Sequence, residues 1–132
     1  MRYLTETELI AINTSILVKH DQQPLVRNPA GLQSLIRLPQ QAFFDQENYR
    51  GLAQKIGIVF IKIINLHPFQ DGNKRTAVIA ATVIAKLNRH QLTFSEQEMF
   101  DLALFVAKTD DPQLNYAEIY GRFEQHLTQD LT

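Results

Sequence analysis

The sequence predicts one all-α domain, built around a central pair of buried helices and carrying a short flap. Its 132 residues are the size of a single domain. Two long segments, residues 50–67 and 73–90, are apolar on almost every side of a helix, which is typical of helices at the centre of a fold. Three more helices are expected to begin at Thr5, Ser95 and Asn115, because each is followed three residues later by a glutamate, the capping-box pattern.

The first helix is supported by apolar residues at helical spacing, such as Leu9, Ile12 and Ile16. Residues 21–29 contain two prolines and an asparagine, so a loop is predicted there. A short helix then covers residues 30–38 and is expected to end at the following proline.

For the middle and the end of the chain, the expected structure follows from segment length and amino-acid composition. Residues 40–50 mix aromatic and polar side chains, and three interpretations stay open there: a flap, a hairpin or a broken helix. The apolar segment that follows has about 17 residues, which is too long for a strand despite its β-branched residues. The single domain is expected to span residues 1–132, with a frayed tail over residues 127–132.

The composition narrows the class of protein. A net charge of −1 gives no strong field, so neither nucleic acid nor a membrane is expected as a partner. The absence of cysteine excludes disulfides and thiolate zinc sites. The N-terminus has no apolar signal core, and no apolar run reaches the ~18 residues of a membrane span. A cytoplasmic location is therefore expected.

A polar loop joins the two central helices, with the sequence HPFQDGNKR at residues 67–75. Pro68 disfavours helical geometry at the residue before it, so the first central helix is expected to end at His67. Gly72 allows a positive φ or the close approach of a ligand. Phe69 lies between polar positions and is expected to plug into the core and pin the loop.

The residue types in this loop suit a phosphate reaction. Asn73, Lys74 and Arg75 open the second central helix, and the N–H groups of a helix start bind anions, phosphate above all. Lysine and arginine add positive charge for phosphate. Asp71 is a hard oxygen ligand of the kind that Mg²⁺ uses together with phosphate oxygens. His67 changes charge near neutral pH and can act as a general base.

Each of these residues also has an ordinary structural explanation. A single histidine at a helix end is usually structural, an Asp-Gly pair usually forms a turn, and a Lys-Arg pair is usually a solvated face. Here they occur within nine residues flanked by core segments, where an unpaired charge is costly. The residues alone therefore leave both a phosphate site and an ordinary polar turn open.

The loop resembles a known motif. HPFQDGNKRTA is similar to the central motif of the Fic/Doc (Fido) superfamily, and most similar to that of its death-on-curing, or Doc, toxin branch. The segment VRNPAGLQSLIRLPQQAFF also resembles the Doc pattern of an arginine, a short helix and a proline before a flap. The resemblance covers most of residues 4–125 and implies the helical fold of that family.

The resemblance implies an enzyme that uses ATP and Mg²⁺. Most Fic members transfer AMP to a protein hydroxyl, and they have a glycine where this chain has Lys74. The Doc branch has lysine there, and its best-known member is a kinase that transfers the γ-phosphate to a threonine of elongation factor Tu, which arrests translation. The loop is thus a hybrid, Fic-like at Asp71 and Gly72 and Doc-like at Lys74. The resemblance favours a Doc-like kinase, with a Fic-type AMP transferase and a catalytically inactive binding domain as alternatives.

By motif position, the resemblance implies a role for each residue of the loop. His67 would be the general base that takes the proton of the acceptor hydroxyl, and Asp71 would hold Mg²⁺ against the phosphates. Asn73 would bind phosphate or hold the loop. Lys74 and Arg75 would neutralise charge in the transition state.

The resemblance also implies which residues contact the nucleotide and which dock the target. Gly72 would present backbone N–H groups to a phosphate. The segment AFFDQENY at residues 42–49 would be the flap that docks the target by adding a strand to it. Arg27 is a candidate contact with the target or the nucleotide, although a solvated side chain is the simpler interpretation.

The remaining histidines and two serines are given structural explanations. His20, His90 and His126 are placed at helix ends, where a histidine commonly stabilises the helix. Ser34 and Ser95 lack the sequence context of a nucleophile.

Regulation is expected to come from another chain. Many Fic enzymes carry an inhibitory helix with the pattern Ser/Thr-x-x-x-Glu-Gly/Asn, and this sequence has no such pattern. The resemblance to Doc toxins implies a Phd-like antitoxin, whose disordered tail folds onto the toxin and inhibits it.

Overall fold

The computed structural model describes residues 1–130, and in that part of the chain six α-helices are present. They are α1 Glu6–Lys19, α2 Pro29–Arg37, α3 Gly51–Leu66, α4 Asn73–Leu87, α5 Glu96–Lys108 and α6 Tyr116–Gln125. Four short strands accompany them: β1 Ala42–Phe43, β2 Gln46–Glu47, β3 His90–Leu92 and β4 Leu127–Gln129. Single 3-10 turns lie at Leu38–Gln40 and Asp111–Gln113. The predicted all-α fold is confirmed.

Helix α3 is the centre of the domain and packs against α2, α4, α5 and α6. Ten of its sixteen residues are buried, because its sequence is apolar on nearly every side. Helix α4 lies along it and buries alanines at four positions, and small side chains of this kind let two helix backbones approach closely. The buried central pair predicted from the sequence is therefore present.

Helix α6 packs on α3 through a glycine. A Cβ atom at Gly57 would lie 2.6 Å from Cδ1 of Tyr120. Next to this contact, the rings of Phe60 and Phe123 meet edge to face with their centroids 5.2 Å apart. Burial against α3 raises the pKa of Tyr120. The glycine therefore sets how closely α6 approaches the central helix.

Side chains cap four of the six helices. The capping boxes at Thr5 and Ser95 are confirmed, and their hydrogen bonds lower the pKa of the Glu8 and Glu98 carboxyls. At Asn115 only half of the predicted box forms, since its side chain accepts a hydrogen bond from the N–H of residue 118 without a reciprocal bond. Helix α2 is capped by an asparagine, and α3 and α4 have no side-chain cap.

The segment that the sequence left undecided is a hairpin. Strands β1 and β2 pair antiparallel, with Phe43 opposite Gln46. The two turn residues, Phe44 and Asp45, have φ angles of 49° and 61°, the positive values that a type I′ turn needs. The side chains of Phe43 and Phe44 are 68% and 86% exposed. The hairpin therefore presents two aromatic rings to solvent.

Lys55 attaches this hairpin to the centre of the domain. Its side chain is buried, and its Nζ donates a hydrogen bond of 2.7 Å to the carbonyl of Pro39. The same atom lies 3.1 Å from Oε1 of Glu47 on β2. A buried ammonium needs such partners, because desolvation without them is costly. The root of the hairpin is thereby held to the first turns of α3.

The predicted frayed tail is wrong for residues 127–129. They form β4, which pairs antiparallel with β3 in the register His90 to Gln129. No local sequence pattern predicts this strand, because its three residues form a strand only by pairing with a segment almost forty positions earlier. Residues 131–132 lie outside the described part of the chain. No helix within residues 1–130 is long and apolar enough to cross a membrane.

Replacement of Gly57 by alanine tests the close contact between α3 and α6. The added methyl group has to displace the Tyr120 ring, so we expect the free energy of unfolding to fall by roughly 1–3 kcal/mol. The matched control is Gly121→Ala on α6, where a Cβ atom meets nothing within 4 Å. This control is expected to gain about 0.5–1 kcal/mol from helix propensity. Denaturant unfolding measures both, and equal effects would contradict the contact.

Candidate phosphate-transfer site

The loop between α3 and α4 turns its apolar residues inward and its polar residues outward. Helix α3 ends at His67, which has left-handed backbone angles (φ 48°, ψ 60°) and an exposed side chain. Pro68 and Phe69 are buried, and Phe69 is 1% exposed. The predicted role of this phenylalanine as a plug is confirmed. The buried pair holds the loop while the histidine stays accessible to solvent.

A second chain segment lies antiparallel to the loop and holds its backbone. The N–H groups of Arg27 and Asn28 donate to the carbonyl of Pro68 at 2.8 and 3.1 Å, and the N–H of Gln70 donates to the carbonyl of Leu25 at 2.9 Å. The Arg27 side chain is exposed. This residue therefore contributes to the site through its backbone.

Asn28 links the start of α2 to the end of α3. Its Oδ1 accepts a hydrogen bond from the N–H of Gly31 and so caps α2. Its Nδ2 donates to the carbonyl of Leu66 at 2.9 Å, which satisfies one of the free carbonyls at the end of α3. The position of His67, the next residue, is thereby fixed from two sides.

Asn73 holds the loop across its base. Its Oδ1 accepts from the N–H of Phe69 at 3.1 Å, and its Nδ2 donates to the carbonyl of the same residue at 2.7 Å. The resemblance left two roles open for this asparagine, and the structure shows the role in the loop. Both polar atoms of its amide have a protein partner.

Asn13 of α1 is a site residue that sequence reasoning missed. It is buried, and its Nδ2 donates to the carbonyl of Asp71 at 2.9 Å and to Oγ1 of Thr76 at 3.1 Å. The signal was present, because Asn13 occupies the position four residues after Leu9 on the apolar face of α1. A polar side chain on such a face needs a hydrogen-bonding partner inside the protein.

Gly72 forms the turn into α4 with a φ of 78°. A Cβ atom there would lie 3.3 Å from both Nδ2 of Asn13 and Cδ2 of Leu17. The glycine therefore satisfies two needs, the left-handed conformation and the close approach of α1. No side chain caps this helix start. Uncapped N–H groups at a helix start are the kind of group that can bind an anion.

Two cations stand on the first turn of this uncapped helix. Lys74 and Arg75 are exposed, and within residues 1–130 neither forms a salt bridge with a carboxylate. Nη1 of Arg75 instead contacts Nε2 of His20. Positive charge without an acidic partner, next to free N–H groups, is what a phosphate site requires.

The predicted helix-end position is confirmed for His20, which follows α1, and for His126, which follows α6. It is wrong for His90, because α4 ends at Leu87 and His90 begins β3. The His90 ring bonds the carbonyl of Asn88, and the His126 ring stacks on Phe94 with centroids 3.9 Å apart. The His20 ring also reaches the site.

Asp71 is the residue available to a metal ion. Its carboxylate is exposed, while its backbone carbonyl is held by Asn13. In the described part of the chain, no group of three or more histidine, cysteine, aspartate or glutamate residues could hold a metal ion. One carboxylate fits an ion that takes its remaining ligands from phosphate oxygens and water, which is the usual arrangement for Mg²⁺.

A wide groove of about 1020 Å³ runs from this loop between α1, α4 and α5. Its loop end carries Gly72, Lys74, Arg75 and His20. The rest of the lining mixes apolar side chains, such as Leu17, Val78, Ile79 and Phe100, with polar ones, such as Thr82, Ser95 and Gln97. The groove thus joins a cationic end to a channel that is partly apolar.

Residues 3–85 match the profile of the Fic/DOC family, and they include every residue of the loop and of α1. The chain belongs to the Fic/DOC family. Members of this family generally transfer phosphate or nucleotidyl groups to proteins, so the chain is a transferase at this coarse level. No curated protein matches the chain.

Replacement of Asn13 by alanine tests how the loop is held. The variant removes the donor to Asp71 and Thr76, so we expect a loss of roughly 2 kcal/mol in the free energy of unfolding. Faster hydrogen exchange is expected at the loop amides. Thr76→Val is the matched control, because it removes one of the two bonds and leaves the bond to the loop in place. If both variants loosen the loop equally, Asn13 is not its anchor.

Proposed function

We propose that this Fic/DOC protein is a Doc-like toxin of a type II toxin-antitoxin system. It transfers the γ-phosphate of ATP to a hydroxyl of a translation protein, with elongation factor Tu as the favoured target, and translation stops. The observation that carries the proposal is the start of α4. Free N–H groups lie at this helix start, and its first turn carries Lys74 and Arg75. The loop before it carries the Asp71 carboxylate and the exposed side chain of His67.

The phosphates of ATP lie over the start of α4 in this proposal. The N–H groups after Gly72 and the helix dipole bind the phosphate oxygens. Lys74 occupies space next to this nest and adds a charge that favours the γ-phosphate. Arg75 can bind two oxygens at once through its planar fork. These groups stabilise charge in the transition state, which is the main contribution of protein groups to phosphoryl transfer.

His67 then acts as the general base. The target hydroxyl oxygen forms a bond to the γ-phosphorus, the bond from that phosphorus to the β,γ-bridging oxygen breaks, and ADP leaves. The hydroxyl proton passes to the imidazole of His67. Burial of Pro68 and Phe69 holds the backbone of this residue at the end of α3, and its side chain stays exposed to an incoming target.

Asp71 would hold the Mg²⁺ ion that accompanies ATP. Held there, the ion would supply positive charge that neutralises part of the phosphate charge. The hydrogen bond from Asn13 to the backbone of Asp71 keeps the carboxylate at the mouth of the loop.

The β1–β2 hairpin is the proposed docking element for the target. It offers free strand edges and two exposed phenylalanines.

The groove between α1, α4 and α5 is the proposed site of a Phd-like antitoxin. Its partly apolar channel suits one face of a helix that folds on binding. An acidic residue of that helix would meet Arg75 at the loop end and exclude the phosphates. Such inhibition in trans agrees with the absence of an inhibitory helix pattern in the sequence.

AMP transfer is the second candidate, and Gly72 is the observation that favours it. Its positive φ and lack of a Cβ atom leave room near the nest for the α- and β-phosphates, as in Fic-type enzymes. An inactive binding domain is the third candidate. The presence of His67, Asp71 and Arg75 argues against an inactive domain. In such a domain we would expect the general base or the metal ligand to have been replaced.

Transfer of label from ATP distinguishes these candidates. We incubate the purified chain, Mg²⁺ and elongation factor Tu with ATP labelled on the α- or the γ-phosphate. Label from the γ-position is expected, and it should disappear on chelation of Mg²⁺ and in His67→Ala. Label from the α-position would establish AMP transfer. A lack of label from both positions, with His67→Ala still toxic in cells, would contradict both enzymatic candidates.

Replacement of Lys74 by glycine tests why the γ-phosphate is chosen. Removal of the side chain opens the space next to the nest, so we expect label transfer to shift from the γ- towards the α-position. Lys74→Ala removes the charge and keeps a Cβ atom, and it separates the effect of charge from that of backbone freedom. Undiminished γ-transfer in Lys74→Gly would show that this side chain does not select the orientation of ATP.

A further inference from the structure

Arg75 is held by a histidine from a distant part of the chain. Its Nη1 contacts Nε2 of His20, 55 residues earlier in sequence, at the C-terminal end of α1. Within residues 1–130 no salt bridge competes for this guanidinium. Arginines are usually paired with carboxylates, and a partner without negative charge leaves the full positive charge available to an anion.

The chemistry of the pair fixes the state of the histidine. Every N–H group of a guanidinium is a donor, and it has no acceptor. Nε2 of His20 must therefore accept, which requires a neutral imidazole with its proton on Nδ1. A protonated His20 has no lone pair for Arg75 and adds a like charge next to it.

The position of His20 is set by the same helix that anchors the loop. Its backbone N–H donates to the carbonyl of Leu17 at 3.0 Å and closes the end of α1. Leu17 is buried against the site of Gly72, and Asn13 binds Asp71 one turn earlier. The imidazole thus stands on a rigid element that is already fixed relative to the start of α4.

We propose that His20 is a positioning residue of the phosphate site. In its neutral form it holds the Arg75 guanidinium over the start of α4 before ATP binds. A long arginine side chain otherwise loses its rotamer freedom when the ligand arrives. This inference rests on the proposed binding of phosphate by Arg75, and it adds a residue to which the resemblance assigns no part.

Other charged groups line the same groove. Lys74 of α4 and Glu96 of α5 line it together with His20 and Arg75. On the same chain segment, Lys19 precedes His20 and Asp21 follows it. Changes of charge at His20 therefore act mainly through the adjacent guanidinium, which it contacts directly.

The test measures the Kd of Mg–ATP for the full chain without any target protein. At about pH 8, His20→Ala should bind roughly tenfold more weakly than the unaltered chain. His20→Gln should stay within about threefold, because its amide oxygen can still accept from Arg75. His90→Ala is the matched control, a histidine outside the site, and it should bind as the unaltered chain does.

Three outcomes overturn the inference alone, and a fourth also contradicts the proposed function. Tighter binding of ATP by His20→Ala would mean that the histidine holds Arg75 away from the phosphates. Equal weakening in His20→Ala and His20→Gln would mean a merely structural role. Unchanged affinity in Arg75→Ala contradicts the proposed use of this arginine, and with it the positioning role. If Arg75→Ala weakens binding while the His20 variants do not, only the inference fails.

Discussion

The two hydrogen bonds of Asn13 are the interaction on which the site depends. One amide nitrogen on α1 binds the carbonyl of Asp71 and the hydroxyl of Thr76, so three chain segments meet at a single buried atom. The bond can form because Gly72 lets α1 approach the loop. Without this close approach, the start of α4 would not face the groove in a fixed orientation.

The rest of the fold supports this arrangement. Helix α3 is apolar on almost every side and is therefore buried, which places its exposed end residue, His67, on a rigid support. Helix α2 begins at Asn28, where the same side chain closes the end of α3. Four of the six helix starts are closed by side chains, whereas the starts of α3 and α4 have no side-chain cap. The proposed anion site is the start of α4. The candidate site thus lies at the end of the buried helix α3, where the chain leaves the core.

Much of this could be predicted from local sequence. The buried helix pair follows from apolar periodicity, and the loop at residues 67–75 follows from proline, glycine and clustered polar types. Contacts between distant segments could not be predicted in this way. Asn13 and His20 matter through partners more than 50 positions away, and strand β4 exists only because β3 pairs with it. The hairpin was one of three interpretations, since two-residue strands carry almost no periodic signal.

In the proposed complex, the start of α4 binds the phosphates of ATP with the γ-phosphate next to His67. The decisive measurement is a crystal structure of the chain with Mg²⁺ and a non-hydrolysable ATP analogue. We expect phosphate oxygens on the N–H groups after Gly72, the metal ion on Asp71, and the γ-phosphorus as the phosphorus nearest to His67. An α-phosphorus nearest to His67, or a nucleotide bound away from this loop, would rule out this binding mode.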